Sequence, residues 1–248
     1  MLVRATGDGA LVIGQLSHAW LSGQLARAWG NEQLLGAEPF EGVVLGAQQH
    51  DIGWSSFDLR PPLNRDSGLP RNFLELSVEE HLAIWQDAPE RLLSQSAHAA
   101  LVVSMHGSSL SQLRASAVPE QAGALRGHIE EEHARQAQLR AALGISEEQA
   151  ERTRRQMWTW DGLSLALCMG WRPFTCKDVP ARKGLIEVEL RDLAGGESTL
   201  DPWPFAADRV AVSCEARTLE SRHEDETRMQ QALARATPET LTFELRPR

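Results

Sequence analysis

The stretch VVLGAQQHDIGW, residues 43–54, joins an apolar run to an adjacent histidine and aspartate. The apolar run predicts a buried helix over residues 41–51, with His50 and Asp51 at its carboxyl-terminal end. Consecutive residues of a helix point about 100° apart, so these two side chains can straddle a site but cannot both point straight at one neighbour. The stretch therefore predicts a functional site at the end of a core helix.

Two more polar residues lie within apolar segments far from this pair in the sequence. His18 lies in SHAW, residues 17–20, and Asp161 lies in WDGLSL, residues 160–165. A carboxylate buried among tryptophan and leucine is costly unless a cation or strong hydrogen bonds compensate it. Imidazole nitrogen together with carboxylate oxygen suits Mn, Fe, Zn, Ni or Mg rather than a thiolate-preferring metal. The alternative is that His18 caps a helix and Asp161 is a satisfied buried polar group.

The order of these residues resembles the H…HD…D signature of the HD superfamily of metal-dependent phosphohydrolases. The chain is more closely similar to a bacterial family of unknown function that is distantly related to HD domains. Over roughly the first 170 residues, four segments carry the resemblance: QLSHAWLSGQLARAWG (15–30), QQHDIGW (48–54), AALVVSMH (99–106) and TWDGLSLALCM (159–169). The resemblance implies that His18, His50, Asp51 and Asp161 are the primary metal ligands. It also implies that Asp51 is the bridging ligand, and we expect Asp51 to be the catalytic residue.

HD domains that bind two metals have further histidines between the HD pair and the final aspartate. His106 ends the apolar run 101–105 and so lies near the end of a buried helical segment. His81 precedes His106 by 25 residues, which resembles the spacing of the paired histidines in two-metal HD proteins, including the myo-inositol oxygenase branch. His98 lies about 80° from His106 around a helix and could point into the site or elsewhere. We expect His81 and His106 to join the metal ligands around one or two divalent ions.

Residues 52–72 predict a long loop directly after the HD pair, because glycines and prolines interrupt any regular element there. A loop of this length inside a domain is usually functional or mobile, and this one is placed to cover the site. Arg60, Arg65 and Arg71 lie in it as candidate contacts for an anion, or as solvated surface residues.

The period of the apolar residues divides the chain into two parts. Residues 1–14 alternate around Gly7-Asp8-Gly9 and predict a β-hairpin, after which helical periods continue to about residue 172. Beyond Pro173, residues 185–190, 210–214 and 241–245 alternate like half-buried strands. The expected fold is therefore mostly α. Residues 1–172 would form an HD-like helical metal-binding bundle that carries the hairpin 1–14. Residues 173–248 would form a small antiparallel sheet, completed by that hairpin and packed on the bundle.

The composition excludes several classes of protein. The net charge of −9 argues against a broad nucleic-acid surface but allows a small anionic substrate held by a few arginines. The sequence has no signal region, and no apolar stretch approaches the ~20 residues of a membrane helix, so we expect no membrane partner. Three cysteines without CxxC spacing argue against a disulfide scaffold and indicate a cytoplasmic protein. The sequence predicts no oligomeric state.

Three functions are compatible with these features. The first is a metal-dependent hydrolase that acts on a small anionic metabolite, such as a phosphorylated one, through a metal-activated water. The second is a mixed-valent diiron oxygenase of the HD superfamily, which would need His81 and His106 as ligands. The third is a non-catalytic HD-like domain that binds a ligand. The HD pair is followed by Ile52-Gly53-Trp54 rather than by the basic residue common in HD phosphohydrolases.

Overall fold

The computed structural model describes residues 1–248 and contains nine α-helices and nine β-strands. The helices are α1 (Gln15–Ala28), α2 (Phe40–Gln48), α3 (Ser55–Leu59), α4 (Val78–Trp85), α5 (Glu90–Leu93), α6 (Ala97–Ala117), α7 (Ala122–Leu143), α8 (Glu147–Met169) and α9 (Glu226–Arg235). The strands are β1 (Leu2–Thr6), β2 (Gly9–Ile13), β3 (Leu63–Asn64), β4 (Leu69–Pro70), β5 (Phe174–Ala181), β6 (Gly184–Asp192), β7 (Ser198–Asp201), β8 (Val210–Leu219) and β9 (Pro238–Leu245). None of the helices combines the length and apolar character needed to span a membrane.

Seven strands form one mixed sheet in the order β1-β2-β8-β9-β7-β6-β5. The pair β7 and β9 is parallel, and the other neighbouring pairs are antiparallel. The N-terminal hairpin enters this sheet through β2, where Ala10 pairs with Leu219 and Val12 pairs with Arg217. The short strands β3 and β4 form a second, two-stranded sheet.

The expectation of a mostly α, HD-like bundle with a small antiparallel sheet is therefore wrong, and an all-α description does not apply. The sheet is large and mixed because it gains two strands that alternation along the sequence does not reveal. In β5 the register shifts between Cys176 and Val179, next to Asp178 with its positive φ of 56°, and Pro180 follows. Strand β7 has only four residues, too few for alternation to stand out.

The main hydrophobic core lies between the sheet and the helices α1, α2 and α8. Leu21 and Leu25 of α1 and Trp160 of α8 are fully buried in it, together with Val188 of β6 and Val212 of β8. Burial of each such side chain stabilises the fold by about 1.5–3 kcal/mol relative to exposure. A smaller core joins α4, α5 and α6 to the turn that follows α2. Helix α6 belongs to both cores, through Val102 in the main core and Val103 in the smaller one, and so links the two groups of helices.

Close packing of α2 on α6 depends on Gly46. A Cβ atom at this position would lie 2.6 Å from the Cβ of Val102 on α6, closer than real side chains approach. The absence of a side chain at Gly46 therefore lets the two helices approach each other. This contact lies one turn before the HD pair and so sets the distance between that pair and α6.

Two local expectations differ from the structure in their boundaries. The helix expected over 41–51 ends at Gln48, so the HD pair lies in the following turn rather than on the helix. The loop expected over 52–72 contains the short helix α3 and the β3–β4 hairpin. Helix α6 starts at Ala97, because Ser96 accepts a hydrogen bond from the amide of Ala99 and caps it.

Candidate metal centre

Five imidazole and carboxylate side chains meet where α1, α2, α6 and α8 converge. His18 comes from α1, His106 from α6 and Asp161 from α8, while His50 and Asp51 follow the end of α2. All five are buried. Their ligand-type atoms form two groups that share His50, and within each group the atoms lie within 4.8 Å of one another. One group is His18, His50 and Asp51, and the other is His50, His106 and Asp161.

The end of α2 fixes which nitrogen of His50 faces the site. His50 Nδ1 lies 2.9 Å from the backbone oxygen of Ala47, one of the last carbonyls of the helix, which have no partner within it. A carbonyl can only accept, so Nδ1 donates and the neutral ring has its lone pair on Nε2. That Nε2 lies 3.5 Å from Asp51 Oδ2 and 3.5 Å from Asp161 Oδ1, and it has no hydrogen-bond partner. A lone pair facing two carboxylates is stable only with a cation or a proton between them.

Two serines fix the orientation of His18, as the backbone oxygen of Ala47 fixes that of His50. Ser164 Oγ donates to the backbone carbonyl of Asp161 at 2.8 Å and accepts from Ser22 Oγ at 2.8 Å. Because the proton of Ser164 is engaged, its oxygen accepts from His18 Nδ1, 2.8 Å away. His18 Nε2 then has no proton in the neutral ring and lies 2.9 Å from Asp51 Oδ2. Both histidines therefore direct a lone pair at a buried carboxylate.

The pKa values of these groups reflect their burial and their charges. Burial disfavours the charged form of His50, but the carboxylates of Asp51 and Asp161 outweigh it and raise the pKa of His50 to about 9. Burial likewise opposes ionisation of Asp161, yet the histidines around it hold the pKa of its carboxyl well below the usual range. Burial and the charge of His50 lower the pKa of His106 to about 4. The site thus combines ionised carboxylates with a neutral His106 and attracts positive charge.

This set of donors fits a divalent first-row metal ion. Three imidazoles, with His50 losing its proton to the ion that replaces it, and two carboxylates are ligands that Mn, Fe, Ni and Zn accept, and Mg accepts the carboxylates. The hydrogen bonds from Nδ1 of His18 and of His50 are the outer contacts that orient histidine ligands in metal sites. The unpartnered Nε2 of His50 is the atom that a metal ion would satisfy. The residues His18, His50, Asp51, His106 and Asp161 therefore fit the metal that the sequence predicts.

The structure does not bring His81 or His98 into this group. His81 on α4 is buried, and its Nε2 lies 3.0 Å from Ser111 Oγ. The ring of Trp85 stands near both His81 and His106, with centroid distances of 6.4 Å and 5.5 Å. Burial and the charge of Arg114 lower the pKa of His81 to about 4. His98 is half-buried in the first turn of α6 and lines a different cavity.

A cavity of about 390 Å³ adjoins the cluster and is lined by His18, Asp51, His106 and Asp161. His81 and Gln15 also line it, and most of its remaining wall is apolar. The apolar wall consists of Trp54, Phe73, Leu74, Leu76, Trp85, Leu110, Leu113, Ala117, Val118 and Leu165. Its volume lies in the range of small-molecule sites.

Arg114 is the only lysine or arginine that lines this cavity, and it is not among the arginines expected to contact an anion. Of the three arginines expected to contact an anion, Arg60 and Arg65 are exposed and Arg71 pairs with Glu80 at 2.7 Å. None of the three lines the cavity. Helical spacing could have identified Arg114, because positions 4, 7, 8 and 11 after His106 lie on one side of a helix. These positions are Leu110, Leu113, Arg114 and Ala117.

The fold and the site define an α/β protein with a buried cluster of histidine and aspartate. Residues 1–221 match the family described as "Protein of unknown function (DUF3891)", and the chain belongs to this family. No curated protein and no solved structure matches the chain.

Proposed function

We propose that this protein is a metal-dependent hydrolase that acts on a small anionic metabolite, such as a phosphorylated one. The observation that carries the proposal is the unpartnered Nε2 of His50, which faces Asp51 and Asp161 at 3.5 Å beside a cavity of about 390 Å³. His18, His50, Asp51, His106 and Asp161 would hold one or two divalent ions. When bound, such an ion lowers the pKa of a water molecule and polarises the group to be cleaved.

The chain's own residues prepare this chemistry in two ways. Burial opposes ionisation of Asp51, but the charge of His50 lowers the pKa of its carboxyl, so Asp51 remains ionised. We assign the catalytic role to Asp51, whose Oδ2 lies 2.9 Å from His18 Nε2 and 3.5 Å from His50 Nε2. The apolar wall of the cavity limits the access of bulk water and strengthens the electrostatic interactions within the site.

We also propose that the protein is a distant relative of the HD superfamily. The residues His18, His50, Asp51 and Asp161 occur in the H…HD…D order, and they support this relation by lying together in one buried cluster. The diiron oxygenase would need six ligands including His81, whose Nε2 instead pairs with Ser111. Five ligands favour the hydrolase.

The test starts from protein purified without a chelator, whose metal content and optical spectrum are measured with and without oxygen. Hydrolysis of p-nitrophenyl phosphates and carboxylic esters is then assayed with added Mn²⁺. We expect bound first-row metal and metal-dependent hydrolysis. Asp51→Asn should lower the metal content about tenfold or more, whereas His98→Gln, a histidine outside the cluster, should not.

Three outcomes would contradict the proposal. Two irons with oxygen consumption would favour the oxygenase, and protein that takes up no metal would favour a non-catalytic binding domain. Equal metal content in Asp51→Asn and in the unmodified protein would place the metal elsewhere.

A further inference from the structure

We propose that Arg114 binds an anionic group of the substrate, and that an apolar segment of the substrate joins this group to the part that reacts at the metal centre. The inference rests on the proposed function for the identity of the bound molecule as a substrate. It names a binding residue and an amphiphilic class of ligand: an anionic head, a carboxylate or a phosphate, on an apolar body.

The side chain of Arg114 is held in place but has no acidic partner. Its Nε donates to Gln121 Oε1 at 2.7 Å, and its Nη2 donates to the backbone oxygen of Leu76 at 2.7 Å. Nη1 has no hydrogen-bond partner, and the guanidinium forms no ion pair. The exposed carboxylate of Glu79 lies near enough to interact with its charge but does not pair with it. Two uncharged acceptors thus fix the orientation of the group, and no carboxylate forms a direct pair with it. An anion is the partner that such a guanidinium binds best.

The other arginines at cavities differ from Arg114 either in their ion pairs or in the cavity that they line. Arg154 and Arg155 line a neighbouring cavity, but both pair with Glu151, at 2.6 Å and 2.7 Å. Arg71 is likewise neutralised by Glu80. Arg182 and Arg217 form no ion pair, but they line other cavities, so Arg114 is the unpaired arginine whose cavity also contains metal-ligand residues.

The position of Arg114 on α6 determines how far the anion would lie from the reacting group. Arg114 follows His106 by eight residues on the same helix, which corresponds to roughly 12 Å along the axis. Leu110 and Leu113 line the cavity between the two. A ligand that touches both ends must therefore pass along an apolar wall several carbon atoms long.

The experiment measures binding of three six-carbon probes: hexanoate, hexyl phosphate and the neutral hexanamide. Titrations follow tryptophan fluorescence, since Trp54 and Trp85 line the cavity. They are run on the protein as purified, with its metal content determined, and again with saturating Mn²⁺. We expect one or both anions to bind about tenfold tighter than hexanamide, which corresponds to one charge-assisted contact. The anion that binds more tightly identifies the head group as carboxylate or phosphate.

Variants assign this preference to Arg114. Arg114→Gln should abolish the preference for the anions over hexanamide, and Arg114→Lys should keep its direction. Arg60→Gln is the matched control, because Arg60 is exposed, forms no ion pair and does not line the cavity. If Arg114→Gln keeps the preference, or if Arg60→Gln loses it equally, the inference is wrong.

If Arg114→Gln does not fold, the unmodified protein alone still tests whether the cavity prefers an anionic ligand. Equal affinity for hexanamide and both anions would overturn the inference without any variant. The result is separable from the proposed function, because it requires no turnover. Protein without metal that still shows the Arg114-dependent preference would refute the hydrolase and keep this inference. Metal-dependent hydrolysis without a preference for the anions would support the hydrolase and refute this inference.

Discussion

At the scale of single residues, hydrogen bonds outside the cluster decide whether its histidines can bind a metal. Ser164 accepts from His18 Nδ1 and so leaves the lone pair of Nε2 to face Asp51. We expect Ser164→Ala to weaken Mn²⁺ binding about 10–100-fold, the usual cost of removing such an orienting contact. Titration of the metal with the purified variant measures this loss.

Ser111→Ala is the matched control for that change. Ser111 pairs with Nε2 of His81, which lies outside both ligand groups. Its hydroxyl is as buried as that of Ser164, so the two variants remove similar groups from similar surroundings. Mn²⁺ binding should stay unchanged in Ser111→Ala, and an equal loss in both variants would show that the effect is one of general packing.

The same residues show how far sequence alone leads. His18, His50, Asp51 and Asp161 stand out because polar residues within apolar helices are costly without a partner. Arg114 stands out only once His106 is assigned to the site, because its helical spacing from His106 then places both on one side of the helix. His81 shares the spacing of a ligand, but its contact with Ser111 depends on how α4 packs, and no local pattern encodes that packing.

At the scale of helices, the approach of α2 to α6 positions the HD pair. A Cβ at Gly46 would lie 2.6 Å from Val102, so we expect Gly46→Ala to push the helices apart and to lower the free energy of unfolding by about 1–3 kcal/mol. Metal affinity should fall as well, because His50 would move away from His106. Chemical denaturation and metal titration measure the two effects.

Gly127 on α7 provides the control for Gly46. It is exposed, and a Cβ atom there would meet nothing within 4 Å. Gly127→Ala should therefore stabilise the protein by roughly 0.5–1 kcal/mol through its better helix propensity. Smaller side chains at Val102 should relieve the strain of Gly46→Ala. If the double change Gly46→Ala with Val102→Ala is no more stable than Gly46→Ala alone, the close approach of α2 and α6 is not the cause.

At the scale of the whole molecule, the sheet joins segments that lie far apart in the sequence. Alternation correctly marks residues 185–190, 210–214 and 241–245, which lie within β6, β8 and β9. The number of strands and their order depend on pairings such as Ala10 with Leu219, and alternation within one segment contains no information about its neighbours. Alternation therefore identifies several strands but not the number of strands in the sheet or their order.

The stability of the whole molecule should depend on pH in a way that reveals the site. The pKa of His50 in the folded protein is raised from 6.5 to about 9. Its contribution to the free energy of unfolding is therefore complete below pH 6.5 and is lost as the pH rises through 9. His81 and His106 have folded pKa values of about 4, below 6.5, so they resist protonation and reduce stability as the pH falls from 6.5 toward 4. Metal-free protein should therefore be most stable near pH 6.5.

Thermal unfolding between pH 5 and pH 9.5, with a chelator and with Mn²⁺, measures this profile. Loss of the His50 proton should cost the metal-free protein at most about 3 kcal/mol on the alkaline side. Mn²⁺ should remove this alkaline loss, because a cation between His50 and the carboxylates replaces the proton. His50→Gln should show no such loss even with chelator, since it has no group that titrates there. An alkaline loss of equal size with and without Mn²⁺ would mean that the ion does not bind at His50, and the assignment of the metal centre would fail.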